Sequence, residues 1–355
     1  MNQRSSSQPR LARSLGILIA LVAVPASLPL FGCDTGVFAA NTTIGVMRRA
    51  SPGVQRMRDP EILETAFPAS IQQMEGLLEI KPDDAVLRAM LGRSYASFGY
   101  GFIEDDYEVA QLSDDASEEE IEHLRERASQ AYLRGREVAI GGLDLARPEG
   151  GGLLAQQSQG LEAFTAHVNR FDNRENHAPL LFWAAYNWVR WISLHRDDMG
   201  AIADLSYVTA LAERAYELDQ SYMDYGPVAL RAGLMAAAPP QLGGRPQDAR
   251  VELERAIQLT ERKNLLYLVT MAQLVAIPLQ DRALFESMLN EVVAFDVDSF
   301  PDQRIPNLLA QRRARRLLAQ IDDLVPPPIE GEGEGEGEAS EPSASVDAAG
   351  SPSST

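Results

Sequence analysis

The chain contains one cysteine and four histidines, the side chains used most often for nucleophilic catalysis and for binding transition metals. The histidines are His123, His167, His177 and His195, and none lies three or four residues from another histidine or from Cys33. This spacing places no two ligands on one turn of a helix, so the sequence predicts no metal site. The glycine clusters lack the Lys-Ser/Thr ending of a phosphate-binding loop. We therefore expect neither a cofactor nor an enzyme.

Cys33 ends the short sequence Leu-Phe-Gly-Cys, directly after the uncharged, mostly apolar run 15–30. A leader with three arginines and no acidic residue precedes the run, a pattern typical of an export signal. The run is shorter than the roughly 20 residues of a membrane-spanning helix. Its ending resembles a bacterial lipobox, in which the cysteine thiol is acylated and becomes the first residue. We predict a signal peptide over 1–32, a lipidated Cys33 and a tether over 33–40; an ordinary secretory signal is the alternative.

The chain is strongly acidic, with a formal net charge of −19. Such a chain is repelled by nucleic acid and by anionic lipid headgroups. We therefore expect no nucleic-acid partner, and membrane attachment through the lipid rather than through a basic patch. A single cysteine permits no internal disulfide, so packing alone has to stabilise the fold.

The C-terminal segment 326–355 differs from the rest in composition. It begins with three prolines, continues as alternating Glu and Gly, and ends in Ser, Pro and Ala. Proline stops a helix, and the remainder has too few apolar side chains to offset the entropy lost on ordering. We predict a disordered, acidic tail.

The elements that must position any site are predicted to be helices, because 41–325 is rich in Ala, Leu, Glu and Arg and shows helical rather than alternating periodicity. The fold class is all-α, in one helical domain over 41–325. Expected helices cover 41–57, 60–79, 84–103, 118–141, 149–169, 178–195, 202–218, 225–238, 246–260, 265–277, 281–295 and 305–324.

Similar helical segments recur, with Ala215, Ala256 and Ala294 in corresponding places 41 and 38 residues apart. A small residue at this place lets one helix approach its partner closely. A period near 40 in paired helices predicts hairpin repeats of the tetratricopeptide type. A compact curved bundle and an open solenoid both remain possible forms of these repeats.

The helix predicted over 178–195 contains all three tryptophans of the chain. At about 100° per residue, Trp183, Asn187, Arg190 and Trp191 share one face of it. Aromatic rings beside an amide and a guanidinium suit a groove that receives a ligand or a partner. A central buried helix, with its polar groups satisfied by neighbours, is the alternative.

The last predicted helix carries Arg312, Arg313, Arg315 and Arg316 within five residues. In an acidic chain this cluster predicts a docking patch for an acidic partner. In the alternative, the arginines pair with nearby carboxylates and cover the edge of the core with their stems.

Several segments in this order resemble a known family. Besides the lipobox at Cys33, they are Asp-Pro-Glu at 59–61, Ala-Phe-Pro at 66–68, and the segments 179–194, 243–256, 275–282 and 307–315. Together they resemble the T component of TRAP transporters, a family of periplasmic lipoproteins with tetratricopeptide-like helices. The resemblance covers about 41–325 and leaves out the acidic tail.

The resemblance implies a non-catalytic, lipid-anchored accessory protein of the periplasm. It would dock the extracytoplasmic solute-binding protein, or P component, of a cation-coupled TRAP system and pass on a small organic acid or hydrophobic ligand. It also implies a homotrimer. A tetratricopeptide-type lipoprotein scaffold for envelope assembly is the alternative function.

Overall fold

The computed structural model describes residues 35–237 and 244–327. The predicted signal peptide, Cys33 and the tail from residue 328 onward lie outside the described residues. The tether predicted over 33–40 is wrong from residue 35 onward, where the chain is already helical. The described residues form helices and no strand, which confirms the all-α prediction.

Contacts along the chain divide it into two units, of which unit 1 ends at Asp219 and unit 2 begins at Gln220. The sequence predicts one helical domain over 41–325, because no change in composition marks this boundary. Each unit is therefore described by itself.

Unit 1 contains ten α-helices among its described residues, with a π-helical turn between α3 and α4 and a 3₁₀ turn before α6. They are α1 (Thr35–Gln55), α2 (Pro60–Ile80), α3 (Ala85–Phe98), the π turn (Gly99–Ile103), α4 (Glu104–Ala110), α5 (Glu118–Ala146), the 3₁₀ turn (Glu149–Gly151), α6 (Gly152–Ser158), α7 (Leu161–Val168), α8 (His177–Leu194), α9 (Met199–Ala203) and α10 (Leu205–Leu218).

Unit 2 has seven α-helices in its described part, with a second π turn between α13 and α14 and two 3₁₀ turns before α16. They are α11 (Tyr222–Ala236), α12 (Pro246–Leu259), α13 (Leu265–Met271), the π turn (Ala272–Ala276), α14 (Ile277–Leu279), α15 (Arg282–Ala294), the 3₁₀ turns (Val297–Ser299 and Pro301–Gln303), α16 (Arg304–Ala319) and α17 (Ile321–Leu324).

Side-chain caps fix the start of several helices. Asp59 Oδ1 accepts hydrogen bonds from the backbone N–H groups of Glu61 and Ile62, and Pro60 occupies the first turn of α2. Ser117 Oγ accepts from the N–H of Glu120 at the start of α5. These caps explain why the predicted and observed starts agree here.

Helix α8 is the central element of unit 1, since it packs against α3, α5 and α10. Two glycines allow the close approach. A Cβ at Gly135 on α5 would lie 2.5 Å from Asn187 Oδ1, and one at Gly92 on α3 would lie 3.3 Å from the Cβ of Trp183. Larger residues at these two positions would separate the helices that surround α8.

The structure differs from the prediction that one helix ends at residue 103. The first π turn, Gly99–Ile103, joins α3 to α4, so helical structure continues to Ala110. A π turn inserts an extra residue and shifts the faces of the following helix. As a result, Glu104 and Asp105 point into unit 1, where each is only 4% exposed.

The core of unit 2 forms where α16 packs against α13 and α15, and α12 packs against α11. Amide side chains on α16 join these elements. Asn307 accepts from the N–H of Leu265 at 3.1 Å and donates to the carbonyl oxygen of Lys263 at 2.9 Å. Gln311 donates to the carbonyl oxygens of Val292 and Phe295.

The predicted repeat positions are only partly alike in the structure. Ala215 and Ala256 are fully buried at helix contacts, whereas Ala294 is exposed near the end of α15. The close approach predicted at Ala294 is therefore not formed, and the tetratricopeptide-type repeat stays a prediction.

Left-handed backbone occurs in both units, but at different residue types. In the described part of unit 1 the positive φ angles belong to glycines: Gly150, Gly151, Gly152 and Gly160. In that of unit 2 they belong to Met223, Asp224, Tyr225, Glu261, Arg262 and Gln280. Within the described ranges, none of the helices is both long and apolar enough to cross a bilayer.

Candidate functional site

The charged end of the predicted groove helix meets the first π turn. Arg190 on α8 forms an ion pair with Glu104, which is also the acceptor for the hydroxyl of Tyr132 on α5. Glu104 and Tyr132 are buried, whereas the Arg190 side chain is partly exposed. A buried carboxylate thus holds a guanidinium at the edge of unit 1, where a second carboxylate could compete for it.

Aromatic rings surround this ion pair. The Arg190 guanidinium lies over the ring of Tyr100, 4.8 Å from its centroid, which is a favourable cation–π distance. Trp191 stacks on His195 with 4.7 Å between ring centroids. Tyr100 and Trp191 are both partly buried and belong to one hydrophobic cluster with Tyr132. We call Tyr100, Glu104, Tyr132, Arg190 and Trp191 the Arg190 site.

The other two predicted groove residues lie deeper along α8. Trp183 is 5% exposed, and Asn187 is fully buried. The Asn187 amide nitrogen donates to the carbonyl oxygens of Gly92 at 3.1 Å and Trp183 at 2.8 Å. The predicted face is therefore divided: Trp183 and Asn187 fasten α8 to α3, and only Arg190 and Trp191 reach the surface.

A second polar group lies beside the tryptophans. Trp188 Nε1 donates to Asp204 Oδ2 at 3.2 Å, and the Arg136 guanidinium lies 4.9 Å from the centre of the Trp188 ring. Burial raises the pKa of Asp204, which hydrogen bonds from Trp188 and Gln157 partly oppose. Burial likewise lowers the pKa of Arg136. The Arg136 guanidinium also lies 5.8 Å from the centre of the Trp191 ring, so it contacts one aromatic residue of the Arg190 site.

A different ion pair joins α5 to α2 in unit 1. Arg134 donates two hydrogen bonds to Glu75, at 2.8 and 2.7 Å, and Tyr95 donates a third at 2.7 Å. The bond from Arg134 is the largest reason that the pKa of Glu75 is lowered, although burial opposes it. This pair resembles the Arg190 pair in chemistry but has no role in the predicted groove.

The structure divides the predicted arginine patch of α16. Arg312 and Arg315 are exposed and Arg316 is partly exposed, but Arg313 is only 3% exposed. A helix that packs on two others cannot turn four arginines within five residues to solvent. The surface patch therefore comprises Arg312, Arg315 and Arg316.

The sequence missed Tyr100, Glu104 and Tyr132, since these residues lie on elements other than α8. Glu104 is 86 residues from Arg190 along the chain. The pair of acidic residues at 104–105 directly after an aromatic, glycine-containing stretch was the available signal. The described residues contain no group of three or more side chains that could hold a metal ion.

Two open depressions on the surface, of about 570 and 730 Å³, do not involve the Arg190 site. One lies beside Asp281, Arg282 and Glu286, and the other lies beside Glu119 and His123 near the start of α5. The Arg190 site is thus a surface face of aromatic rings and charge, and it is formed without either depression.

Comparison with known proteins agrees with the resemblance. The family model described as TRAP transporter T-component matches residues 56–325, which is more than half of the chain and includes α2 to α17. An uncharacterized protein of Treponema pallidum (strain Nichols) is 25% identical over 275 residues, covering 75% of this chain and 80% of that protein.

Proposed function

The chain belongs to the TRAP transporter T-component family, and on that premise we propose how it takes part in transport. It is an accessory component associated with a TRAP transport system. The single observation that carries this function is the family match, which spans both units.

We propose that the chain docks the extracytoplasmic solute-binding protein through the Arg190 site. Arg190 is partly exposed while its partner Glu104 is buried, so a carboxylate of the partner or of its ligand can approach the guanidinium from outside. Tyr100 and Trp191 supply apolar rings beside that charge. This combination suits a small organic acid or a more hydrophobic ligand with one charged end. Trp183 and Asn187 position α8 for this contact.

The proposal includes a place in the cell. The family suggests an extracytoplasmic or membrane-associated protein. A lipid on Cys33 would attach the chain to a bacterial membrane on its periplasmic side, with the P component as its soluble partner. A homotrimer and passage of ligand through the protein belong to the same proposal. Docking and passage need no covalent chemistry.

Co-purification from the native envelope tests the proposed partner. The full chain, with an affinity tag after Thr355, is cross-linked in cells and purified, and the bound proteins are identified by mass spectrometry. We expect recovery of a two-lobed solute-binding protein together with TRAP membrane components. Recovery of barrel-assembly or secretin components in its place would contradict docking and favour the envelope scaffold.

A pair of matched variants tests the site. Glu104→Gln with Arg190→Gln keeps two amides that can bond each other but removes the exposed positive charge. Glu75→Gln with Arg134→Gln makes the same change in the pair between α2 and α5. We expect the first variant to weaken binding of the purified solute-binding protein about tenfold, as loss of an interface arginine does. The second should bind normally. Equal binding by both variants, with unchanged helicity, would refute the Arg190 site.

A further inference from the structure

Helix α1 is basic, whereas the chain as a whole is acidic. Residues 35–58, which comprise α1 and the turn after it, contain Arg48, Arg49, Arg56 and Arg58 and no acidic residue. The whole chain has a net charge of −19. Like α16, which contains five arginines and no acidic residue, this segment is basic within an acidic chain, and it is attracted to negatively charged surfaces.

The packing of α1 leaves most of its surface in solvent. Only Ala40 and Ile44 are buried, on the side that packs against α2. At about 100° per residue, Phe38, Val46 and Arg49 lie on the opposite side. Phe38 is 71% exposed and Val46 is 56% exposed. The outer face of α1 thus presents two large apolar side chains next to Arg49.

The position of α1 in the chain indicates what covers this face. The helix begins at Thr35, two residues after Cys33, so a lipid on Cys33 would hold the first turn of α1 at the bilayer surface. The family match begins at residue 56, after α1 ends. The family match therefore does not include the basic, apolar face of α1.

We propose that α1 is a membrane-contact helix that lies on anionic phospholipid, with Phe38 and Val46 in the interface, Arg49 against the lipid phosphates and exposed Arg48 at the flank of the same helix. Amphipathic helices with arginines beside aromatic and aliphatic residues bind membranes in this way, and an acyl chain holds a protein more firmly when a basic segment acts with it. The orientation of α1 on the bilayer depends on the proposed lipid at Cys33, whereas the affinity of α1 for anionic phospholipid does not. The proposal adds this contact to the expected attachment through the lipid.

Vesicle flotation without the acyl group tests the helix by itself. The chain from residue 33 onward, carrying Cys33→Ser, is mixed with vesicles of phosphatidylcholine alone or with added phosphatidylglycerol. We expect flotation with the phosphatidylglycerol vesicles only, and release when the salt concentration is raised, because screening weakens the attraction. Failure to float with the anionic vesicles would overturn the proposal.

Matched charge variants assign the binding to α1. Arg48→Gln with Arg49→Gln should lower the partition coefficient about tenfold, since each arginine near an anionic surface contributes. Arg312→Gln with Arg315→Gln removes the same charge from exposed positions of α16 and should leave flotation unchanged. Phe38→Ser should weaken flotation without changing its salt dependence.

Other occupants of the face would give different results. An acidic protein or a second copy of the chain on α1 would produce a salt-sensitive complex in solution, without flotation, and would refute the proposal. An equal loss of flotation in the α1 and α16 charge variants would also refute the proposal. The assay contains no solute-binding protein, so failure of the Arg190 site cannot alter its outcome.

Discussion

Each unit holds one acidic side chain through polar contacts, but the physical reason for these contacts differs between the units. In unit 1, Glu104 lies in ordinary helical backbone and is bound by Tyr132 and the charged Arg190. In unit 2, Asp224 lies in left-handed backbone, and its carboxylate accepts from the neutral amide of Gln303. In unit 1 the contacts therefore stabilise a buried negative charge, whereas in unit 2 they stabilise a strained backbone conformation.

The strain in unit 2 involves three consecutive residues. Met223, Asp224 and Tyr225 have φ angles of 49°, 54° and 66°, and none is glycine. Left-handed backbone costs a non-glycine residue roughly 1–2 kcal/mol, so such a run persists only where contacts hold it. The hydroxyl of buried Tyr267 donates to the carbonyl oxygen of Asp224 at 2.7 Å, and Gln303 bonds the carboxylate. Tyr267 of unit 2 thus restrains a turn, whereas Tyr132 of unit 1 donates a hydrogen bond to a buried carboxylate.

The largest effect is expected from breaking the charge pair of unit 1. Arg190→Met should lower the free energy of unfolding by about 3 kcal/mol, because it leaves the Glu104 carboxylate buried with only a tyrosine partner. Adding Glu104→Gln should restore most of the loss. Arg134→Met serves as the control, since its more exposed pair should contribute at most about 1 kcal/mol. Urea unfolding measures all three, and equal losses for Arg190 and Arg134 would contradict charge compensation.

The next largest effect concerns the restraint in unit 2. Tyr267→Phe removes the hydroxyl but keeps the buried ring, so the carbonyl oxygen of Asp224 loses its donor. We expect a loss of about 2 kcal/mol, as for a buried hydrogen bond whose partner is left unsatisfied. Hydrogen exchange should be faster in the first turn of α11 than in α16. A uniform change across unit 2 would mean that Tyr267 does not specifically hold the turn.

Positive φ angles belong to glycines in the described part of unit 1 and to other residues in that of unit 2. Exchanging glycine and non-glycine residues at these positions should therefore change stability with opposite sign in the two units. Gly160 has φ of 104°, and a Cβ there would meet no atom within 4 Å, so Gly160→Ala changes only the backbone energy. We expect it to lower the stability of unit 1 by about 1 kcal/mol. Glu261→Gly places glycine at an exposed left-handed position of unit 2 and should raise its melting temperature. If both variants changed stability in the same direction, the proposed difference in backbone energy between the units would be contradicted.

Helix positions were largely predictable, because hydrophobic periodicity and caps are local signals. The groove helix predicted over 178–195 spans His177–Leu194. The single helix predicted over 149–169 is wrong, because the structure divides it into the 3₁₀ turn Glu149–Gly151, α6 and α7, with positive φ at Gly150, Gly151, Gly152 and Gly160. The π turn at Gly99–Ile103 and the left-handed run at Met223–Tyr225 were not predicted. Gly226-Pro227 directly follows this run and marks a break in the helix. The dipeptide does not reveal that the three residues before it are left-handed, because the contact that restrains them comes from Tyr267, 43 residues from Asp224.

The same limit applies to the candidate site. Residues on one helix face follow from the sequence, so Arg190 and Trp191 were identified together. Their partner Glu104 was not, because the predicted helix ends at residue 103, whereas the π turn continues helical structure through Glu104 and turns it inward. Long-range partners of this kind depend on how whole helices pack.

The smallest expected effect is the dependence of stability on pH. It again distinguishes the units, because all four histidines precede Gln220 and therefore belong to unit 1. Burial lowers the pKa of His177, whose Nδ1 accepts from the backbone N–H groups of Asp172 and Asn173 at 3.2 and 3.0 Å. Burial also lowers the pKa of His167. The unfolded chain then takes up protons near pH 6.5 while the folded chain stays neutral at these rings, so the free energy of unfolding falls as pH drops below about 6.5.

Comparison of urea unfolding at pH 7.5 and pH 5.5 measures this dependence. His177→Gln should reduce the loss of stability between the two, because its amide oxygen can accept the same backbone bonds without becoming charged. His123→Gln changes an exposed histidine and should leave the loss unchanged. Hydrogen exchange at pH 5.5 should be faster around Asp172 while the helices of unit 2 keep their protection. A pH dependence equal in both units would show that it arises from carboxylates common to both, and not from the buried rings of unit 1.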